Sequence, residues 1–140
     1  MPQIKQGADG ALGIEGSAGG DGGFVPVTLN YLATTTDCTI FTADRPYTVK
    51  AIRGRVDVAG TGGACTAVIR KVPSGTALTS GTALHTGSYN LVGTANAQQT
   101  LTLSTTASDL LLAAGDSIAY DLTGTATSAV GNISVLLNPA

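Results

Sequence analysis

Charge is scarce in this sequence. Only 11% of the residues are Asp, Glu, Lys or Arg, against a usual share of about 25%. The formal net charge is −2, so nothing in the bulk electrostatics calls for a nucleic-acid partner. Aromatic side chains are also few. There is no Trp, with two Phe and four Tyr, a poor set for stacking on bases or sugars. His85 is the only histidine and Glu15 the only glutamate. A metal site built from clustered histidines cannot be assembled from one. A glycosidase pair would have to come from aspartates scattered over turns. His85 is close to Ser88, but in a Thr/Ser-rich loop it reads as an ordinary surface histidine rather than part of a Ser-His-Asp site. Cys38 and Cys65, without a nearby His pair, make no zinc site. They read as small, reduced, buried side chains. The expectation is therefore no catalytic residue, no cofactor and no metal. No apolar run approaches a membrane span. Met1–Gln6 carries no apolar h-region, so synthesis and first folding in a cytoplasm are expected.

Glycine, in contrast, is plentiful, with 19 residues. Gly7, Gly10, Gly13, Gly16, Gly19 and Gly22 recur with a strict period of three. That period belongs to an extended left-handed helix, collagen-like or polyproline II-like. Glycine offers no side chain to bury and loses the most entropy on ordering, so no packed core forms here. Residues 1–23 are accordingly read as an extended arm, and 24–140 as one β domain. The third positions of the triplets are Asp9, Leu12, Glu15, Ala18 and Asp21. In an extended helix the three acids would lie about 19 Å apart. The arm is either a solvated linker or a strap in a partner's groove. In the second case Ile4, Leu12 and Ile14 are its anchors, and Lys5, Asp9, Glu15 and Asp21 its charged contacts. A self-standing collagen helix fits worst, because no triplet carries proline.

From Phe24 onward, period-2 alternation and Gly, Pro and Asp turns dominate. Val25 to Ala33 alternates, and Pro26 argues for a sheet edge. Cys38 to Ala43 is a second strand. Tyr47 to Val58 is long and changes phase near Ala51 or Gly54, the mark of a bulge or of a strand bending between sheets. Arg53, Arg55 and Asp57 project from one face of it. They form either a solvated charged face or a cationic patch that meets acidic arm residues of a neighbouring copy, or an acidic partner. Further strands are expected over 64–72, 89–93, 98–104, 117–123 and 133–137. Residues 108–115 read as a short strand into a turn, with a single helical turn as the alternative. The sum is eight main strands and no substantial helix, an all-β, eight-stranded jelly-roll (Greek-key) sandwich preceded by the arm.

The segments Leu110 to Gly124, with their Gly115-Asp116 turn, and Gly131 to Leu137 resemble the small jelly-roll cement or decoration proteins of tailed-phage heads. The Gly-Asp turn is also similar to that of the C1q/TNF-type jelly roll. The resemblance covers about residues 24–138. It implies a non-enzymatic structural protein on the outer surface of a virion head, made in the host cytoplasm. Its implied role is to clamp adjacent capsomers of an HK97-like shell. The implied partners are the major capsid protein and further copies of this chain, as a dimer or trimer, with no nucleic acid and no membrane. The alternative is a trimeric receptor- or glycan-binding tip of a fibre, or a C1q-like binding module. The long loops, rich in Gly, Thr, Ser and Ala, favour the structural role.

Overall fold

Ile133, Val135 and Leu137 are fully buried, while Asn132, Ser134 and Leu136 between them are partly open. This is the alternation of a strand with one face in a core, and it recurs along the chain. In a computed structural model of the protein, residues 23–140 are described. They form ten strands. These are β1 (Val25–Tyr31), β2 (Cys38–Thr42), β3 (Tyr47–Val58), β4 (Cys65–Val72) and β5 (Thr82–Ala83), then β6 (Tyr89–Asn90), β7 (Ala97–Leu101), β8 (Leu111–Leu112), β9 (Ser117–Gly124) and β10 (Val130–Pro139). Two single 3-10 turns, Leu78–Ser80 and Ala107–Leu110, are the only helical pieces among the described residues. The arm proposed for residues 1–23 lies, but for Gly23, outside the described residues.

The strands make two antiparallel five-stranded sheets. One runs β1-β10-β3-β7, with β8 also paired to β3. The other runs β2-β9-β4-β5, with β6 also paired to β4. The chain is an all-β sandwich. Ile52, Val56, Ile133, Val135 and Leu137 of the first sheet meet Cys65, Ala67, Ile69, Ile118 and Tyr120 of the second in one buried cluster. Pro26 sits on an edge strand, as its missing N–H requires.

The count of ten differs from the expected eight because β5 and β8 are additional two-residue strands, too short to count among the main ones. The expected strand at 89–93 shrinks to Tyr89–Asn90, and residues 107–112 combine both readings, the 3-10 turn Ala107–Leu110 running into the short strand Leu111–Leu112. The phase change of β3 is a bulge. Leu136 pairs with Ala51 and Leu137 with Val49, so Lys50 is the extra residue. Tyr47 and Val49 before it and Ile52 and Val56 after it therefore reach the same core. Val58, at the end of the strand, is exposed.

Two buried glycines let tyrosine rings reach the core. A Cβ on Gly54 would overlap the Tyr89 ring and lie 2.7 Å from the Asn132 carbonyl oxygen. A Cβ on Gly131 would overlap the Arg55 carbonyl oxygen and the Tyr31 hydroxyl. Tyr31 and Tyr89 meet edge to face, and Tyr31 stacks on Tyr120 at 6.5 Å. These three rings are the largest fully buried side chains of the core.

Candidate interaction face

The sequence Arg53-Gly54-Arg55 on β3 alternates out, in, out. Gly54 turns to the Tyr89 ring, so both arginines stand on the outer face of the β1-β10-β3-β7 sheet. Register then lays that face out in rows. Asn30, Asn132, Arg55 and Gln98 form one row across four strands, and Thr28, Ser134, Arg53 and Thr100 the next. Pro26, Leu136 and Ala51 form a third, apolar row. Together these rows enclose an open concavity of about 420 Å³ lined by Pro26, Ala51, Arg53, Gly54, Arg55, Gln98, Asn132, Ser134 and Leu136.

The two arginines differ in how they are held. Arg55 Nε donates to Asp57 Oδ1 at 2.8 Å, and its Nη2 donates to Asn96 Oδ1 at 3.2 Å. Asn96 presents that oxygen from a left-handed backbone, φ 63°, which asparagine tolerates better than most residues. The Arg55–Asp57 pair is 44% exposed on both sides, so it orients the guanidinium more than it stabilises the fold. Arg53 is exposed and has no ion-pair partner among the described residues. Thr28 and Ser134 share a hydrogen bond at 2.8 Å, which fixes the hydroxyls beside it. The face thus offers a guanidinium fork, amides and hydroxyls next to a short apolar floor. That combination suits an extended acidic segment or the edge of another protein.

Of the residues read from the sequence as contacts, Arg53 and Arg55 come together here with Asp57. Ile4, Lys5, Asp9, Leu12, Ile14, Glu15 and Asp21 lie outside the described residues. The apolar row was not found from the sequence. Leu136 faces outward by the same alternation that buries Val135 and Leu137, but its position beside Pro26 and Ala51 depends on a register between strands at opposite ends of the chain.

Two polar residues correct the sequence reading. His85 is not a surface histidine, since it is 4% exposed. The Ile69 amide donates to its Nε2 at 3.0 Å, so its Nδ1–H donates to the Thr86 carbonyl, also at 3.0 Å. Burial lowers its pKa below the usual histidine range, the nearby Arg70 charge adds to that, and the Thr86 bond opposes it. A neutral ring with both nitrogens committed has no lone pair left to serve as a base. Asp121 has the parity of an outward strand residue, yet it is only 9% exposed and accepts from Arg70 Nε at 2.6 Å. Arg70 Nη1 also donates to the Gly81 carbonyl, so the 73–88 loop is tied over the second sheet. Cys38 and Cys65 are both free thiols, and burial raises the pKa of each. No helix among the described residues is long and apolar enough to cross a membrane.

No protein-family model and no curated protein matches this chain. Its fold is similar to a chain of a solved structure described as "Cyanophage Pam1 capsid asymmetric unit". The TM-score is 0.54 at 16% identity, and the match covers 100% of both chains. At that identity the likeness is one of fold.

Proposed function

We propose that this chain is a non-enzymatic structural protein of a phage virion, a cement protein on the outer surface of the head. The observation that carries this reading is the end-to-end likeness of fold to a chain of a cyanophage capsid. The strand pairings support the finer reading of the sandwich as a jelly roll. β1 pairs with β10, β2 with β9, β3 with β7 and β8, and β4 with β5 and β6. Taking the short strands two to a position gives eight strands in nested antiparallel pairs, the path of one long hairpin rolled into a barrel-like sandwich.

On this reading the β domain, 24–140, sits on the shell while residues 1–23 run as a strap. Ile4, Leu12 and Ile14 anchor it in grooves, and Lys5, Asp9, Glu15 and Asp21 set its position. The Arg53 and Arg55 face meets acidic groups of a neighbouring subunit. The partners are the major capsid protein of an HK97-like shell and further copies of the chain, as a dimer or trimer. A non-enzymatic role agrees with the His85 geometry, and the sparse charge of the surface suits a protein largely covered by others.

The test is to add the purified full chain to heads of the source phage assembled without it. Density at fixed sites between capsomers, together with a higher temperature of head disruption, is the expected result. No binding to heads, with binding to host cells instead, would replace this reading with that of a fibre tip.

A further inference from the structure

The strand β1 has a sheet neighbour on one side only. That neighbour is β10, and the pairing runs without a break from Val25 opposite Leu137 to Tyr31 opposite Gly131. Alternation turns Val25, Val27, Leu29 and Tyr31 toward the core and leaves Pro26, Thr28 and Asn30 exposed. The backbone follows the same parity. Pro26 has no N–H to give to β10, so it belongs to the set whose main-chain groups point away from β10. Leu32 closes that set, with its N–H on Thr35 Oγ1 and its carbonyl on the Thr35 amide. Between them, the outward N–H and C=O of Thr28 and Asn30 meet no protein group among the described residues. Folded proteins usually protect such an edge with a charge, a bulge or shortness. The edge strand β2 has a register break between Thr39 and Phe41, and β5 and β6 have two residues each. At seven residues β1 is the longest edge strand among the described residues, with no charge and no bulge.

Apolar surface flanks this edge with a symmetry of its own. Phe24 is 53% and Leu32 55% exposed, two of the four large hydrophobics open to solvent among the described residues. Each lies four residues from Thr28, one before it and one after. An antiparallel pair of β1 strands with Thr28 on the two-fold axis therefore sets Phe24 of each copy opposite Leu32 of the other. Parity holds in the same register. Thr28 exchanges both main-chain bonds with its own copy, and each Asn30 N–H reaches the Pro26 carbonyl across the axis. No charged residue lies within 23–36, so no like charges meet at the contact. The row Thr28, Ser134, Arg53 then runs straight through the axis into the second copy's row. Five strand spacings separate the two Arg53 positions by about 24 Å, beyond the roughly 8 Å over which exposed charges interact at physiological salt.

We propose that a second copy of this chain docks antiparallel on β1, with Thr28 at the two-fold axis, and joins the two β1-β10-β3-β7 sheets into one. Both concavities then open on a single face, so the dimer presents two equivalent seats for acidic segments. This deepens the proposed self-association by choosing a dimer and its edge, and it rests on β1 rather than on the virion reading.

Sedimentation equilibrium of the full chain is the first test. The expected mass is that of two copies, falling toward one on serial dilution, because one strand with its flanks makes a small interface. Phe24→Ser and Leu32→Ser each remove two symmetry-related contacts and should each weaken association roughly tenfold or more. Thr28→Lys sets two ammonium groups against each other at the axis and should leave single copies where the parent is paired. Circular dichroism matching the parent's reports that each variant is folded. Cross-linking tests the register with the edge intact. In a Cys38→Ser background, with Cys65 buried, Phe24→Cys mixed with Leu32→Cys should give a linked pair under mild oxidation. Directly opposite Cα atoms at about 5.5 Å suit a disulfide, and neither variant alone should link. A parent mass of one copy or three would overturn the proposal. So would a dimer that Thr28→Lys leaves intact, or a mixture that fails to link. A chain that passes these tests yet never binds heads would defeat the virion reading alone. One that binds heads and fails them would defeat this pairing alone.

Discussion

The hydroxyls of Tyr31 and Tyr89 lie 2.9 Å apart in the buried interior, with ring centroids 5.8 Å apart at an interplanar angle of 75°. Each is the other's hydrogen-bond partner, and each ring lies against a glycine of the facing strand. Tyr120 lies next to them, and its hydroxyl has no partner among the described residues. Tyr31→Phe strands the Tyr89 hydroxyl and should cost about 1–3 kcal/mol. Tyr120→Phe removes a group that already lacks a partner and should change stability by less than about 0.5 kcal/mol, or raise it. Urea unfolding of both variants decides the order. Equal losses would mean that the paired hydroxyls contribute nothing special.

Gly131→Ala should be among the most damaging single-methyl additions. The new Cβ would meet the Arg55 carbonyl oxygen, which is backbone and cannot swing away. A loss above about 3 kcal/mol, or failure to fold, is expected. Adding Tyr31→Ala should recover little, because the backbone clash remains. Full rescue by that second change would place the conflict in the ring instead.

Arg70 and Asp121 are 23% and 12% exposed at the side chain. Arg70→Met leaves a nearly buried carboxylate unpaired. It should cost near the lower end of the roughly 3–5 kcal/mol seen when buried pairs lose one partner. Replacing both residues with apolar ones should cost less than Arg70→Met alone. A double-mutant cycle by thermal unfolding tests this, and simple additivity would rule out the coupling.

His85 gives the fold a pH dependence of known sign. Burial lowers its pKa in the folded state, so the unfolded chain binds the proton more readily. The contribution is complete above the unfolded histidine value of roughly 6.5. It is lost as pH falls from there through the lowered folded-state value. Because the chain has no other histidine, denaturation midpoints between about pH 7 and 5 should fall for the parent. They should be flatter for His85→Gln. Equal slopes would show that the ring is not held neutral.

Thiol labelling should separate the cysteines. Cys38 is half-buried and Cys65 is 1% exposed, and burial raises both pKa values. Both should react slowly at neutral pH, with Cys38 first and Cys65 only on unfolding. Prompt labelling of Cys65 in the folded protein would contradict its position.

Much of the fold was legible because alternation is a local signal. The strands over 64–72, 117–123 and 133–137 were read from period two alone, and Cys65, Ala67, Ile69, Ile118, Tyr120, Ile133, Val135 and Leu137 within them are buried. The same reading put Arg53 and Arg55 side by side on an outer face. Pairing was not legible. Nothing near Pro26 announces that Leu136 lies beside it, because a register is a property of two segments. His85 was misread for the same reason. Its neighbours are polar, and the Ile69 amide that holds it belongs to another strand. Asp121 looked outward by parity, as it is, but Arg70 and the loop tied through Gly81 then cover it.

The nested pairing of the strands also sets an order of events during synthesis. Thr28 and Ser134 touch across 106 residues of sequence, and β1 has no neighbour in its sheet except β10. The first of the described strands therefore waits unpaired until β10 has been made. The central hairpins around β4 can form earlier, and closure comes only when β10 arrives. Such non-local closure is slow, on the order of milliseconds to seconds. During that wait the edge strand and its apolar residues are open to other chains at the same stage. Loss of the last ten residues would leave β1 with nothing to pair with, and the truncated product should aggregate rather than persist as a smaller head.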